Sequence, residues 1–197
     1  MPMLLIAGTF RVHGAAPDGD SVRFYPTDPA EWDLLEGQHK VRRNSAGGAQ
    51  LRLDGIDALE TYYTAGRTHV HQPWEYGRRA AAHLLSWLGF TKALRDEQET
   101  VTDASPAQVP GYVLSRSADI YGRCVALAGR GEPPGPSGER THVSVAMLRR
   151  TVNYHQLRRG LAYPTYYRKL YVDLREARTL AVERARQGSG LWPTTTH

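Results

Sequence analysis

The sequence predicts an α+β fold that is mainly β, a small barrel of short strands decorated by helices. Short runs rich in Leu, Ile, Val and Phe are separated by turn residues, as is typical of β-strands. Other segments repeat apolar residues at helical spacing. The chain has 197 residues, which is near the usual size of one domain, so we expect a single domain over residues 1–197.

Five segments have the composition of strands. Residues 3–13 and 20–25 are rich in Leu, Ile, Val and Phe and are joined by a turn that contains Gly and Pro. Residues 50–56 alternate in character and predict a third strand. Residues 111–114 and 123–128 predict two more strands, which are joined by a turn.

Three helices are predicted from apolar spacing. Residues 75–88 place Ala and Leu at i, i+3, i+4 and i+7, which makes one apolar face. Ser144 is expected to cap a second helix that ends near Gly160. Asp173 is expected to cap a third, which runs to about Gln187.

The segments between these elements are polar and are interpreted as insertions. Residues 26–49 contain several Pro and Gly residues, with a short helical piece near residues 30–35. Further insertions fall near residues 62–72 and 92–110, and the latter is expected to be partly extended. Residues 129–140 are rich in Pro and Gly and predict a flexible loop.

Composition narrows the class of protein. A hydrophobic content of 41% and a charged content of 23% are ordinary for a soluble globular chain. A formal net charge of +5 and an isoelectric point near 9.5 favour an anionic partner. Cys124 is the single cysteine, which excludes an intramolecular disulfide bond. We expect a monomer without a membrane span, cytoplasmic as the sequence stands and secreted if a leader preceded it.

Carboxylates and arginines recur in a pattern that suggests chemistry. Arg52, Asp57 and Glu60 lie within nine residues, Asp20 lies on an earlier tight turn, and Arg123 follows a turn glycine. Carboxylate oxygens hold hard cations, and guanidinium groups bind phosphate, so the set suits metal-assisted cleavage of a phosphodiester. Each residue also has an ordinary interpretation. The aspartates can cap their own turns, the glutamate can be a solvated surface residue, and the arginines can be salt-bridge partners.

The ordered set of motifs resembles the staphylococcal (micrococcal, thermonuclease-like) nuclease family. The matching pieces are Asp18-Gly-Asp20, Arg52-x4-Asp57-x2-Glu60, Tyr121-Gly-Arg123, Leu157-Arg-Arg-Gly-Leu-Ala162 and Gly190-Leu-Trp192. The resemblance implies an OB-fold, a five-stranded barrel with about three helices. It also implies a calcium-dependent, sequence-nonspecific nuclease that hydrolyses DNA and RNA and leaves 3′-phosphates. The alternative is a non-catalytic nucleic-acid-binding module on the same barrel.

The resemblance assigns a role to several residues. Asp20, Asp57 and the backbone carbonyl of Ala58 are the expected ligands of Ca²⁺, a cation that accepts six to eight oxygen ligands. Glu60 is expected to orient the attacking water. Arg52, which also counts as catalytic, is expected to span the phosphate.

The remaining roles concern the transition state and the substrate. By the same resemblance, Arg123 stabilises the transition state, and Tyr121 and Tyr166 contact phosphate or stack on a base. An equally good interpretation of Tyr166 is that it is an amphipathic packing residue. Arg168 is expected to add charge to the substrate site.

Overall fold

The computed structural model describes residues 2–59, 74–165 and 172–187. Within these ranges the strands are β1 (Met3–Phe10), β2 (Ser21–Pro26), β3 (Ala49–Leu53), β4 (Ile56–Asp57), β5 (Lys92–Arg95), β6 (Val101–Ser105), β7 (Val109–Ala118), β8 (Cys124–Arg130), β9 (Arg140–Thr141) and β10 (Tyr163–Pro164). The helices are α1 (Trp74–Leu88), α2 (Val145–Arg149), α3 (Val152–Arg158) and α4 (Val172–Arg186), with a 3-10 helix at Pro29–Leu34.

Five strands close into a barrel. Their order is β2-β3-β8-β7-β1, and β1 pairs again with β2 to complete the ring. β3 and β8 run parallel, whereas the other barrel neighbours are antiparallel. The predicted α+β class and the OB-type five-stranded barrel are therefore confirmed.

Alternation along the strands fills the barrel with apolar side chains. In β2, Val22 and Phe24 are buried, and Arg23 between them faces outward. The ring of Phe24 makes edge contacts with Phe10 and Trp32, at centroid distances of 5.0 and 6.2 Å. Burying such a side chain stabilises the fold by roughly 1.5–3 kcal/mol. Trp32 belongs to the 3-10 helix, so the insertion at 26–49 contributes to the core.

The predicted third strand, residues 50–56, is divided in two. β3 ends at Leu53, Asp54 and Gly55 form a turn, and β4 follows. Gly55 has a φ of +72°, a conformation that side chains other than glycine rarely adopt. The turn releases Asp57 from the barrel sheet, and β4 pairs with β10 instead.

The predicted second helix is also divided. Ser144 caps it as expected, because its hydroxyl accepts a hydrogen bond from the backbone N–H of Met147 at 3.2 Å. The hydroxyl of Thr151 donates to the carbonyl of Leu148 at 2.7 Å, and Thr151 caps a new helix, α3. The continuous apolar pattern concealed this break, because a local side-chain bond competes with the helix ladder.

Two of the polar segments have definite structure. The insertion at 92–110 contains the hairpin of β5 and β6, which confirms its extended character. The loop at 129–140 lies along β1, where the backbone N–H of Leu5 donates to the carbonyl of Glu139 and that of Ala7 to the hydroxyl of Ser137. The insertion near 62–72 lies outside the described residues.

No helix in the described part of the chain is long and apolar enough to cross a membrane.

Candidate functional site

Arg52 joins two carboxylates that are distant in the sequence. Its Nη1 contacts Oδ2 of Asp20, and its Nη2 donates to Oδ1 of Asp57 at 2.5 Å. Ser21 is opposite Arg52 in the pairing of β2 with β3, which brings Asp20 to the guanidinium. The turn at Gly55 brings Asp57 back to the other side of the same group. The structure thus brings together three of the residues that the sequence singled out.

Asp20 is the buried member of this group. Its side chain is 10% exposed, and its Oδ2 also accepts a hydrogen bond from the backbone N–H of Ala58 at 2.8 Å. Burial raises the pKa of Asp20 to about 6, with repulsion from Asp18 in the same direction and Arg52 and the Ala58 N–H opposing. Asp18 accepts a bond from the backbone N–H of Asp20 at 3.0 Å, as expected of a turn residue.

Arg52 stays charged between its two partners. Burial lowers the pKa of Arg52, but the ion pairs with Asp20 and Asp57 outweigh burial and raise it overall. The Asp57 side chain is 59% exposed, so it is the partner that a ligand can reach. The site therefore combines a half-buried guanidinium and a buried carboxylate with one exposed carboxylate, that of Asp57.

Among the described residues, too few ligand side chains converge to hold a metal ion. No group of three or more His, Cys, Asp or Glu side chains that could hold a metal ion lies within residues 2–59, 74–165 and 172–187. The cation that joins Asp20 and Asp57 is the guanidinium of Arg52. Ala58 meets Asp20 through its N–H, not through the carbonyl expected to bind calcium. Calcium binding at this group stays a prediction.

Arg123 and Tyr121 form a neighbouring cluster. Asp119 accepts hydrogen bonds from the backbone N–H groups of Tyr121 and Arg123, both at 2.9 Å, and from Nε of Arg123 at 2.7 Å. The guanidinium of Arg123 lies 5.4 Å from the centre of the Tyr121 ring. Tyr121 itself is 70% exposed. Arg123 therefore pairs with Asp119, and the structure gives it no bond to Asp20 or Asp57 among the described residues.

Burial opposes the charge of Asp119, but its hydrogen bonds from Arg123 and Tyr121 dominate and hold its pKa below the usual range. Asp119 therefore fixes the turn and the direction of Arg123 at once. Three predicted site residues, Glu60, Tyr166 and Arg168, lie outside the described residues and remain predictions.

Sequence reasoning missed Gln156, a buried residue that supports the site. Its Nε2 donates to the carbonyl of Gly19 at 2.7 Å and to that of Ala80 at 2.9 Å. Its Oε1 lies 2.7 Å from Nδ1 of His83. Gln156 thus holds the residue that precedes Asp20 against α1. A polar residue directly before the inward-facing Leu157 was the signal that could have revealed it.

Two further buried polar residues were missed. Asn153 donates to the carbonyls of Asp54 and Ala126 and accepts from the N–H of Ala128, each at 3.0 Å. Arg178 of α4 is 1% exposed and donates to the carbonyl of Asp54 at 3.3 Å. Both fix the turn that carries Asp57. An arginine among the apolar positions of α4 was the available signal.

Comparison with known proteins gives a weak match of a different kind. No protein-family model matches the chain. A curated protein from Rhizobium rhizogenes (strain K84), named peptidyl-tRNA hydrolase, is 24% identical over 164 residues, which covers 79% of this chain and 68% of that protein. An identity this low describes what the chain is similar to and does not place it in a family.

This match corrects two expectations from the sequence. The resemblance to the staphylococcal nuclease family is contradicted, because the matched relative is named as a hydrolase of another class. The expected function, a calcium-dependent nuclease of DNA and RNA, is contradicted for the same reason. The motifs that suggested it are short and rich in turn residues. Asp18 forms the turn before Asp20, Gly55 forms the turn between Arg52 and Asp57, and Asp119 holds the turn of Tyr121 and Arg123.

Proposed function

We propose that this protein is a hydrolase that cleaves an ester between a peptidyl or acyl group and the terminal ribose of an RNA. The observation that carries the proposal is the convergence of Asp20, Arg52 and the Ala58 N–H at one partly open position. The name of the matched relative supports the substrate class, since a peptidyl-tRNA is such an ester. The net charge of +5 favours RNA as the partner.

The group has the parts that ester hydrolysis needs. Asp20 can accept a proton from a water molecule, and the resulting hydroxide attacks the ester carbonyl carbon. Negative charge then collects on the carbonyl oxygen, where the Arg52 guanidinium can stabilise it by roughly 3–4 kcal/mol, as preorganised donors do elsewhere. The substrate carbonyl would replace the exposed carboxylate of Asp57 at Nη2 of Arg52.

The step closes with the departure of the ribose oxygen. The bond between the carbonyl carbon and that oxygen breaks, and the proton held by Asp20 passes to the oxygen. The products are a carboxylic acid and an RNA with a free hydroxyl. Burial of Asp20 favours its uptake of the proton, because burial penalises the charged carboxylate more than the neutral carboxyl.

An assay with defined substrates tests the proposal. The purified protein is incubated with an N-acetylated aminoacyl-tRNA, with the same tRNA uncharged, and with a single-stranded DNA. We expect release of the acyl group from the N-acetylated aminoacyl-tRNA, and we expect its RNA chain to stay intact. An acylated tRNA that stays unchanged would overturn the proposal. If the protein binds that tRNA without releasing the acyl group, it is an RNA-binding protein and not a hydrolase.

A further inference from the structure

A pocket on the outer face of β2 and β3 carries concentrated positive charge. Its volume is about 360 Å³, and the described residues that line it are Arg23, Arg42, Arg43, Asn44, Gly48, Ala49 and Gln50. No acidic side chain is in this set. Arg43 is ion-paired with Asp33, so the excess charge of the pocket resides on Arg23 and Arg42.

The pocket continues into a row of outward-facing side chains. Arg23 lies opposite Gln50 in the pairing of β2 with β3. Leu51 lies beside Cys124 in the parallel pairing of β3 with β8, and both are fully buried. Their predecessors, Gln50 of β3 and Arg123 directly before β8, therefore point outward side by side. Two strands and the residue that precedes β8 thus contribute to one polar row.

This row borders the candidate site. Arg52 follows Gln50 by two residues on β3, about 7 Å along the same face. The backbone N–H of Arg42 donates to the carbonyl of Gly122 at 2.8 Å, which joins the insertion at 26–49 to the turn of the exposed Tyr121. Guanidinium groups, amide side chains and an exposed aromatic ring are the components of a single-strand binding surface.

We propose that the pocket at Arg23 and Arg42 binds a backbone phosphate of a single-stranded RNA segment that crosses β2, β3 and β8 towards Arg52. This inference rests on the proposed function, because it names the RNA as the substrate. It adds the path of the single-stranded RNA across the barrel and the position of one of its phosphates. The planar guanidinium groups match a phosphate in two-point geometry.

The test measures binding without any ester. Fluorescence anisotropy follows a labelled single-stranded oligoribonucleotide against the parent, Arg23→Gln, Arg42→Gln and the double variant. Arg175→Gln is the matched control, since Arg175 is exposed on α4 and its loss changes net charge equally. We expect each pocket variant to weaken binding by about 10-fold and the salt slope to fall by about 1, with the control unchanged.

A second arm uses inorganic phosphate to separate an RNA phosphate from a free one. If the pocket variants lose binding of inorganic phosphate but bind the oligoribonucleotide like the parent, the pocket serves a free anion and the inference is overturned. Oligoribonucleotide binding unchanged in the double variant overturns it as well. Circular dichroism confirms that each variant is folded. Failure of ester hydrolysis by the parent would refute the proposed function and leave this binding result standing.

Discussion

Gly55 leaves the space that the guanidinium of Arg178 fills. A Cβ atom at position 55 would collide with Nη1 and Cζ of Arg178. The turn that directs Asp57 towards Arg52 is therefore packed directly against a buried charge of α4. This contact ties a helix outside the barrel to the geometry of the candidate site.

Gly55→Ala should destabilise the protein by about 2–3 kcal/mol, because it adds a collision to an unfavourable φ. Gly131→Ala is the matched control: Gly131 has a φ of +73° and open space around the added atom. The control should cost only the backbone strain, about 1–2 kcal/mol. Chemical denaturation measures both. Equal losses of unfolding free energy in the two variants would show that the Arg178 side chain moves aside to make room for the methyl group.

The barrel itself was predictable because strand alternation and turn residues are local signals. Val22 and Phe24 alternate with Arg23, and this pattern indicates which face is buried. The breaks at Gly55 and Thr151 were not predictable, since each depends on a contact with a distant element or a competing side-chain bond.

The candidate site was predictable in part. The aspartates and Arg52 stood out as residue types in a pattern, and the fold does bring Asp20, Arg52 and Asp57 together. The nuclease function inferred from them was wrong. Their role as calcium ligands stays a prediction, because the pattern fits metal-bound carboxylates and arginine-bound carboxylates equally well. Gln156 was missed, since its partners are backbone carbonyls that the sequence does not reveal.

Asp20→Asn should stabilise the protein at pH 7.5. The folded-state pKa of Asp20 is raised from 3.8 to about 6, so its contribution to stability is fully present below 3.8 and is lost as the pH rises through 6. An amide does not ionise, so the variant keeps this stability at high pH. Its free energy of unfolding at pH 7.5 should exceed that of the parent by about 1–3 kcal/mol. Thermal denaturation from pH 4 to 7.5 measures it. A gain independent of pH would contradict the assignment to this carboxyl.

Gln156→Leu should lower kcat as well as stability. It removes the donor to the carbonyls of Gly19 and Ala80, at a cost of about 1–3 kcal/mol, and frees the backbone beside Asp20. His83→Leu is the control, because it leaves both of those bonds in place. Ester hydrolysis assayed well below the melting temperature separates the two effects. Reduced stability with the parent kcat would mean that Gln156 has a structural role alone.

Arg52→Gln should increase calcium affinity if calcium binds at these carboxylates. The guanidinium now occupies oxygens of both Asp20 and Asp57, and its removal leaves two close negative charges that a cation can join. Isothermal titration with calcium chloride compares the parent, Arg52→Gln and the double variant Arg52→Gln/Asp20→Asn. The double variant should lose the gain. Calcium affinity that is equal in all three would place any calcium elsewhere.

In the proposed reaction, Asp20 and Arg52 are the two side chains that promote hydrolysis of an RNA-linked ester. The most direct measurement is the single-turnover rate of acyl release from N-acetylated aminoacyl-tRNA by the parent, Asp20→Asn, Arg52→Gln and Asp57→Asn. We expect the first two variants to lose at least about 10²-fold, as for removal of a general base or an oxyanion donor. Asp57→Asn should lose less, because the substrate displaces Asp57. Acyl release by Asp20→Asn at the parent rate would contradict the role of Asp20 as the general base.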